Sequence, residues 1–357
     1  MILAYQHLWD MILRFAAPFA LSAVAVAALT PGMIVVARKY NIMDIPNERK
    51  IHSKPVPRLG GLALLIGFWV VALINLPWNK EFAAIIAGAT IIGVMGIMDD
   101  VRSLSSRIRL VGQLIASFLV IWAGLIVSFM PKTWWGQVMA GIITVLWIIG
   151  IVNALNFADG LDGLATGMTF IASTFFFLIA IYLGQPHVAC VAAMLAGCCL
   201  GFLVWNFKPA KIYLGDGGST FLGFVLACLA LYGGWSHDGF IVALGIPTII
   251  LGVLIFDMFY ITIARIKNGS VTTFQQWLDF TGKDHFHHRL MSLGFSEVMA
   301  VVFIYLVCLV LGLNVLMLEK VQSPLAVSIL FINALFIFTI IFLLMRVGHG
   351  LKGNKQD

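Results

Sequence analysis

Long apolar stretches alternate with short polar ones along this chain of 357 residues. Runs near 13–37, 59–78, 82–98, 110–130, 134–156, 161–183, 187–207, 218–234, 239–264, 297–318 and 324–346 are each apolar enough to cross a bilayer as a helix. The pattern predicts an all-α, polytopic integral membrane protein with about 11 transmembrane helices. No internal repeat or low-complexity tract interrupts it. The longest gap, 265–296, leaves no room for a soluble domain, so residues 1–357 read as a single membrane-embedded domain. The opening MILAYQHLWDMILRF lacks the basic start and small-residue cleavage site of a signal peptide, so the first run is expected to be retained.

Composition agrees, with 61% hydrophobic and 11% charged residues, against about a quarter charged in soluble domains. Charge then sets the sides. Among 22 Lys and Arg, only Arg14, Lys80, Lys132 and Lys320 fall in one of the two alternating sets of connections. The other 18 lie in 38–58, 99–109, 208–217, 265–296 and the C-terminal tail. Basic residues mark the cytoplasmic side, which puts the N-terminus outside and the C-terminus in the cytoplasm. The net charge of +6 is read as anchoring charge, and no nucleic-acid partner is expected. Cys190, Cys198, Cys199, Cys228 and Cys308 all sit in apolar runs without metal-ligand spacing, as small buried hydrophobes do.

The unusual polar stretches gather in the cytoplasmic set. Asp99 and Asp100 close the third run. Adjacent carboxylates repel unless a cation sits between them, and hard divalent cations favour oxygen ligands. In NALNFADGLDG, Asn153 and Asn156 lie in the last turn of a membrane run, where polar groups face a cavity or a partner. Asp159 and Asp162 follow in the turn, where one of them could serve as a helix N-cap. YLGDGGST opens the eighth run with glycines and free N–H groups suited to phosphate. Asp216 there would repel bare phosphate, so the combination points to a metal–diphosphate site, or else Asp216 caps its helix. Tyr213 could stack on a base or anchor at the interface. DHFHHR supplies His285, His287, His288 and Arg289, a set suited to a diphosphate or sugar more than to zinc, since no cysteine is near. Arg49, Lys50, His52, Lys54 and Arg58 in the 44–61 loop suit either substrate binding or inside anchoring. Asp257 pairs with Arg265 or with another helix, or is functional.

These stretches together resemble the polyprenyl-phosphate N-acetylhexosamine-1-phosphate transferases of the MraY/WecA/TagO type. The family pattern runs D-x-P-N-x-R-K-x-H…G-G, D-D, N-x-x-N-x-x-D-G-x-D-G-L, G-D-x-G-S and H-x-H-H. It is met in order at Asp44–Gly61, Asp99–Asp100, Asn153–Leu164, Gly215–Ser219 and His285–His288. The resemblance implies attack of a lipid phosphate on the β-phosphate of a UDP-N-acetylamino sugar at the cytoplasmic face of the inner membrane, with release of UMP. It implies Mg²⁺, with Mn²⁺ as the alternative, held by Asp216 with Asp99 and Asp100. Asp99, Asp100, Asp159, His287 and His288 are then the catalytic set. Asn153, Asn156, Asp162, Tyr213, His285, Arg289, Arg49 and Arg58 bind substrate, with Asp162 and Tyr213 near the uracil. Expected partners are the UDP-sugar, a polyprenyl (undecaprenyl) phosphate and the membrane; a homodimer is the expected assembly if the chain is not a monomer. The last motif resembles the WecA/TagO branch, which favours GlcNAc over the muramoyl-pentapeptide substrate. Two features of some relatives are absent: the third acid of D-D-x-x-D, and a proline shortly before Asp257. The competing readings are a muramoyl-pentapeptide transferase, a UbiA-type prenyltransferase, which would want D-x-x-x-D motifs, and a secondary transporter, which would want an internal repeat.

Overall fold

A computed structural model describes residues 2–45, 55–75, 79–235, 240–279, 282, 284–320 and 324–353. The protein is helical almost throughout, and each apolar run of the sequence falls on helix. Among the described residues eight helices are long and apolar enough to cross a membrane, or nine if one bent pair counts as a single span. This is the architecture of a multi-pass membrane protein. The chain forms two compact units, Met1–Gly234 and Trp235–Asp357.

The first unit contains α1 (Ile2–Lys39), α2 (Gly60–Asn75), α3 (Lys80–Arg102), α4 (Ser106–Trp122), α5 (Trp134–Ala158), α6 (Leu164–Tyr182), α7 (Pro186–Asn206) and α8 (Gly215–Tyr232). Helix α8 is its axis, packed by α2, α3, α5 and α6. From Gly215 to Ala230 every residue of α8 except Asp216 is buried, as expected of a helix apolar on all sides. Its start is gripped closely. A Cβ on Gly61 of α2 would lie 2.2 Å from the Gly218 backbone nitrogen, so only glycine permits that approach. Exposed Val111, Ile115 and Phe118 on α4 and Val138, Ile142 and Leu146 on α5 leave apolar faces outward, as lipid-facing helices do.

One strand pair was not anticipated. β1 (Met43–Asp44) runs antiparallel to β2 (Val56–Pro57). The chain after β2 is then zipped to the segment before α8: Tyr213 N–H donates to Pro57 O (2.8 Å), and Gly60 and Gly61 N–H donate to Tyr213 and Leu214 O (3.0 and 2.9 Å).

The second unit contains α9 (Phe240–Ile250), α10 (Gly252–Lys267), α11 (Phe274–Asp279), α12 (Phe286–Ser292), α13 (Glu297–Lys320) and α14 (Pro324–Gly353). The apolar run 239–264 is broken here. Helices α9 and α10 meet at Leu251 with a bend of 78°. Pro247 lies one turn before the break and Gly252 just after it, and proline and glycine are the usual causes of sharp kinks. The short helices α11 and α12 occupy the 265–296 connection.

Candidate active site

In the first unit the acids converge where α3 and α5 end and α8 begins. Asp99 and Asp100 are neighbours in sequence, but successive helical residues point about 100° apart, and the two carboxylates have different partners. Asp99 accepts from Leu104 N–H, and from Arg109 Nη1 at 3.2 Å. Its acidic neighbour is Asp216, and the two line the same cleft.

Asp100 turns the other way, with its side chain 1% exposed. It accepts from the N–H groups of Asp216 (2.8 Å) and Gly217 (3.0 Å) and from Arg58 Nε (2.9 Å). This corrects one expectation. Two of the N–H groups at the start of α8, those of Asp216 and Gly217, do not wait for phosphate; a buried carboxylate already satisfies them. Gly215, at φ 72°, makes the turn, and a Cβ there would lie 2.5 Å from an Asp100 carboxylate oxygen.

Asp216 does not cap its helix, since α8 has no side-chain N-cap bond. Its Oδ1 accepts from Asn156 Nδ2 at 2.9 Å, and its Oδ2 from Arg58 Nη2 at 3.0 Å. Asn156 also donates to Ser219 Oγ at 2.9 Å, which fixes the amide of α5 against α8. Asn153, one turn earlier, donates to Gln113 Oε1 of α4 at 3.0 Å. One cleft is lined by Asp99, Arg109, Gln113, Asn153, Asn156 and Asp216 together with apolar Ile92 and Met95. Its lining thus mixes acids, amides and a guanidinium with apolar side chains.

Neither acid of the α5–α6 turn caps α6, whose N-cap is Gly163. Asp159 sits at the C-cap of α5. Burial, with the nearby charge of Asp216, pushes its carboxyl up to about 8, against the pull of Arg58. Asp162 accepts from Ala210 N–H at 3.0 Å, which ties the 208–213 segment to the turn and holds Tyr213 from a second side. Burial would lower the Arg58 guanidinium, but Asp216, Asp100, Asp44 and Asp159 raise its pKa overall.

The second unit carries the histidines. Asp257 of α10 accepts from His285 Nδ1 and from Phe286 N–H, both at 2.8 Å. It therefore pairs with another helix, at the start of α12. Arg265 grips Asp284 through two bonds of 2.8 and 2.7 Å. These bonds hold the Asp284 carboxyl below its ordinary range although burial opposes them. His287 is buried, and its Nε2 has no hydrogen-bond partner among the described residues. Burial, then the neighbouring His288 and His285, lower its pKa well below the usual value, so at neutral pH its imidazole is uncharged. The His288 ring lies 4.2 Å from that of His287, and Arg289 Nε donates to Asp284 O at 3.3 Å.

Among the described residues no group of three or more His, Cys, Asp or Glu side chains is disposed to hold a metal alone. The facing carboxyls of Asp99 and Asp216 nevertheless suit one. They are two like-charged oxygen donors in a half-enclosed cleft, which fits a cation that takes one or two carboxylates and completes its shell with water and phosphate. Arg49, Lys50, His52 and Lys54 lie outside the described residues. Arg109 and Gln113 were not singled out from the sequence; a glutamine inside the apolar run 110–130 was the available signal.

Residues 82–234 match the glycosyl transferase family 4 model. Over 333 residues the chain is 36% identical to the probable undecaprenyl-phosphate N-acetylglucosaminyl 1-phosphate transferase of Bacillus subtilis (strain 168), covering 92% of this chain and 91% of that relative. The chain belongs to the polyprenyl-phosphate N-acetylhexosamine-1-phosphate transferase family. Decaprenyl-phosphate N-acetylglucosaminephosphotransferase of Mycobacterium leprae is 31% identical over 330 residues, covering 82% of this chain and 81% of the relative. The phospho-N-acetylmuramoyl-pentapeptide-transferase of Caldanaerobacter subterraneus subsp. tengcongensis is 34% identical over 199 residues, only 51% of this chain and 63% of the relative. The stretch matching the family model contains the whole cleft and ends where the first unit ends. Arg58 and the histidine network fall outside that stretch.

Proposed function

We propose that this protein transfers N-acetylglucosamine-1-phosphate from its UDP-sugar to undecaprenyl phosphate at the cytoplasmic face of the inner membrane. An oxygen of the lipid phosphate bonds to the β-phosphorus, the bond from that phosphorus to the bridging oxygen breaks, and UMP leaves with the electron pair. The observation that carries this reading is a cleft whose lining brings Asp99 and Asp216 together with apolar Ile92 and Met95. Acids and apolar side chains in one cleft suit a cation-bound diphosphate meeting an amphiphilic phosphate. The sugar is argued from coverage: relatives matched over most of this chain are named for N-acetylglucosamine, while the muramoyl-pentapeptide enzyme is matched over half of it.

In this reading Asp216 and Asp99 hold Mg²⁺, or Mn²⁺ as the alternative. When bound, the cation neutralises the diphosphate and the departing UMP. Asn156 aims Asp216, and Arg109, already on Asp99, offers its remaining donors to phosphate. Asp100 positions the start of α8 rather than lending a free carboxylate, and Asp159 is the acid placed to take up or release a proton near neutral pH. Asp162 and Tyr213 shape the uracil side. In the second unit His285, with His287, His288 and Arg289, keeps the diphosphate and sugar contacts that the family pattern assigns. All eleven apolar runs cross the membrane, with the N-terminus outside and the C-terminus cytoplasmic; the 18 basic residues of one connection set support that orientation. The test is divalent-cation-dependent release of UMP from UDP-GlcNAc by the purified protein with undecaprenyl phosphate. No UMP from a folded preparation would overturn the proposal.

A further inference from the structure

Arg58 joins two acids that differ in how firmly they are held. Its Nε lies 2.9 Å from Asp100, whose side chain is 1% exposed, and its Nη2 lies 3.0 Å from Asp216, 23% exposed. Asp100 is fixed further by the N–H groups of Asp216 and Gly217. The backbone of Arg58 is pinned too. Its N–H donates to Ile42 O at 3.1 Å, and Pro57 O receives Tyr213 N–H. The guanidinium thus has a firm attachment on Asp100 and a looser one on Asp216, the acid that the proposed function makes a cation ligand. A divalent cation on Asp216 would sit within a few ångströms of the guanidinium, and like charges that close in a half-buried cleft repel strongly.

We propose that Arg58 is the resident counter-cation of the acid cluster: it balances Asp216 before the divalent cation arrives, yields that carboxylate to it, and stays anchored on Asp100. The released Nη2 then faces the cluster as a donor for a phosphate oxygen of the nucleotide diphosphate. Arg58 therefore opposes the metal ion and favours the substrate. This inference rests on the proposed function, through the assignment of Asp216 as cation ligand.

The experiment is a Mn²⁺ titration of the full chain in detergent without substrate, with free Mn²⁺ read by electron paramagnetic resonance. Arg58→Gln, which keeps hydrogen-bonding groups without the charge, is expected to bind Mn²⁺ at least about tenfold tighter than wild type. The same variant is expected to raise the KM for UDP-GlcNAc at least about tenfold. Arg58→Lys keeps the charge and is expected to leave Mn²⁺ affinity within about threefold of wild type. Opposite shifts for the two ligands are not what a fixed strut would produce. Unchanged or weaker Mn²⁺ binding in Arg58→Gln overturns the proposal. If the neutral variant folds only with Mn²⁺ present, the proposal is supported; if it fails to fold even then, Arg58 is a strut and the proposal falls. UMP release is followed in the same wild-type preparation. Mn²⁺ binding without UMP release would sink the proposed reaction and leave Arg58 standing, whereas turnover with unaltered Mn²⁺ affinity in Arg58→Gln would sink the Arg58 assignment alone.

Discussion

Asp216 is the residue around which the site is organised. It meets Asp99, Asn156 and Arg58 at once, while Asp100 holds the backbone beneath it. Asp216→Asn and Asp99→Asn are each expected to lower turnover at least about a hundredfold by removing cation-held charge. Their melting temperatures are expected to change little, because each variant relieves a like-charge contact while weakening an ion pair to Arg109 or Arg58; a near wild-type rate in both would remove the cation assignment. Asp159 gives a separate test. Its carboxyl is pushed up to about 8 from an ordinary value near 4, so the folded protein holds a proton that the unfolded chain has released. A group of this kind stabilises the fold fully below about pH 4 and loses that contribution as pH rises toward 8. Thermal unfolding of wild type from pH 5 to 9 should therefore show a decline that Asp159→Asn lessens, and an identical pH slope in the two proteins would contradict it. That Asp99 and Asp100 matter was legible from two acids ending an apolar run. That they do different work was not, because it depends on the 100° turn between them and on which helix lies on each side.

At the scale of elements, the site depends on how closely α2 and α3 approach the start of α8. Gly61→Ala places a methyl against the Gly218 backbone nitrogen. Such overpacking is expected to cost about 1–3 kcal/mol, seen as a lower melting temperature in detergent, with UMP release falling as α8 shifts. An unchanged melting temperature would show that the contact can relax. The helices themselves were legible because an apolar run of membrane length has few alternatives to helix. The bend at Leu251 was not, since hydropathy is continuous across it and only Pro247 and Gly252 mark it. The β1–β2 pair, two residues to a strand, is too short to show an alternating pattern, and the bonds from 57–61 to 213–214 join segments some 155 residues apart, a pairing of which local pattern carries no record. Asp257 shows the same limit. Its partners at the start of α12 lie 28 and 29 residues away and are brought to it by the fold.

For the whole molecule, the proposed topology turns the acid cluster toward the cytoplasm, as the basic residues of one connection set favour. The five native cysteines are buried, so introduced ones can report sidedness. Exposed Arg102 and Lys132 fall in opposite connection sets. In right-side-out vesicles Lys132→Cys should react with a membrane-impermeant maleimide, and Arg102→Cys only after permeabilisation; the reverse would invert the topology. The chemistry itself is tested most directly by following the β-phosphorus. Purified protein is given UDP-GlcNAc labelled with ³²P at the β-phosphate, undecaprenyl phosphate and Mg²⁺, and the label is traced. Transfer of sugar-1-phosphate predicts labelled lipid and unlabelled UMP in equal amounts, with neither formed when the cation is chelated. Label leaving as UDP while the sugar alone reaches the lipid, or no release at all, would contradict the account.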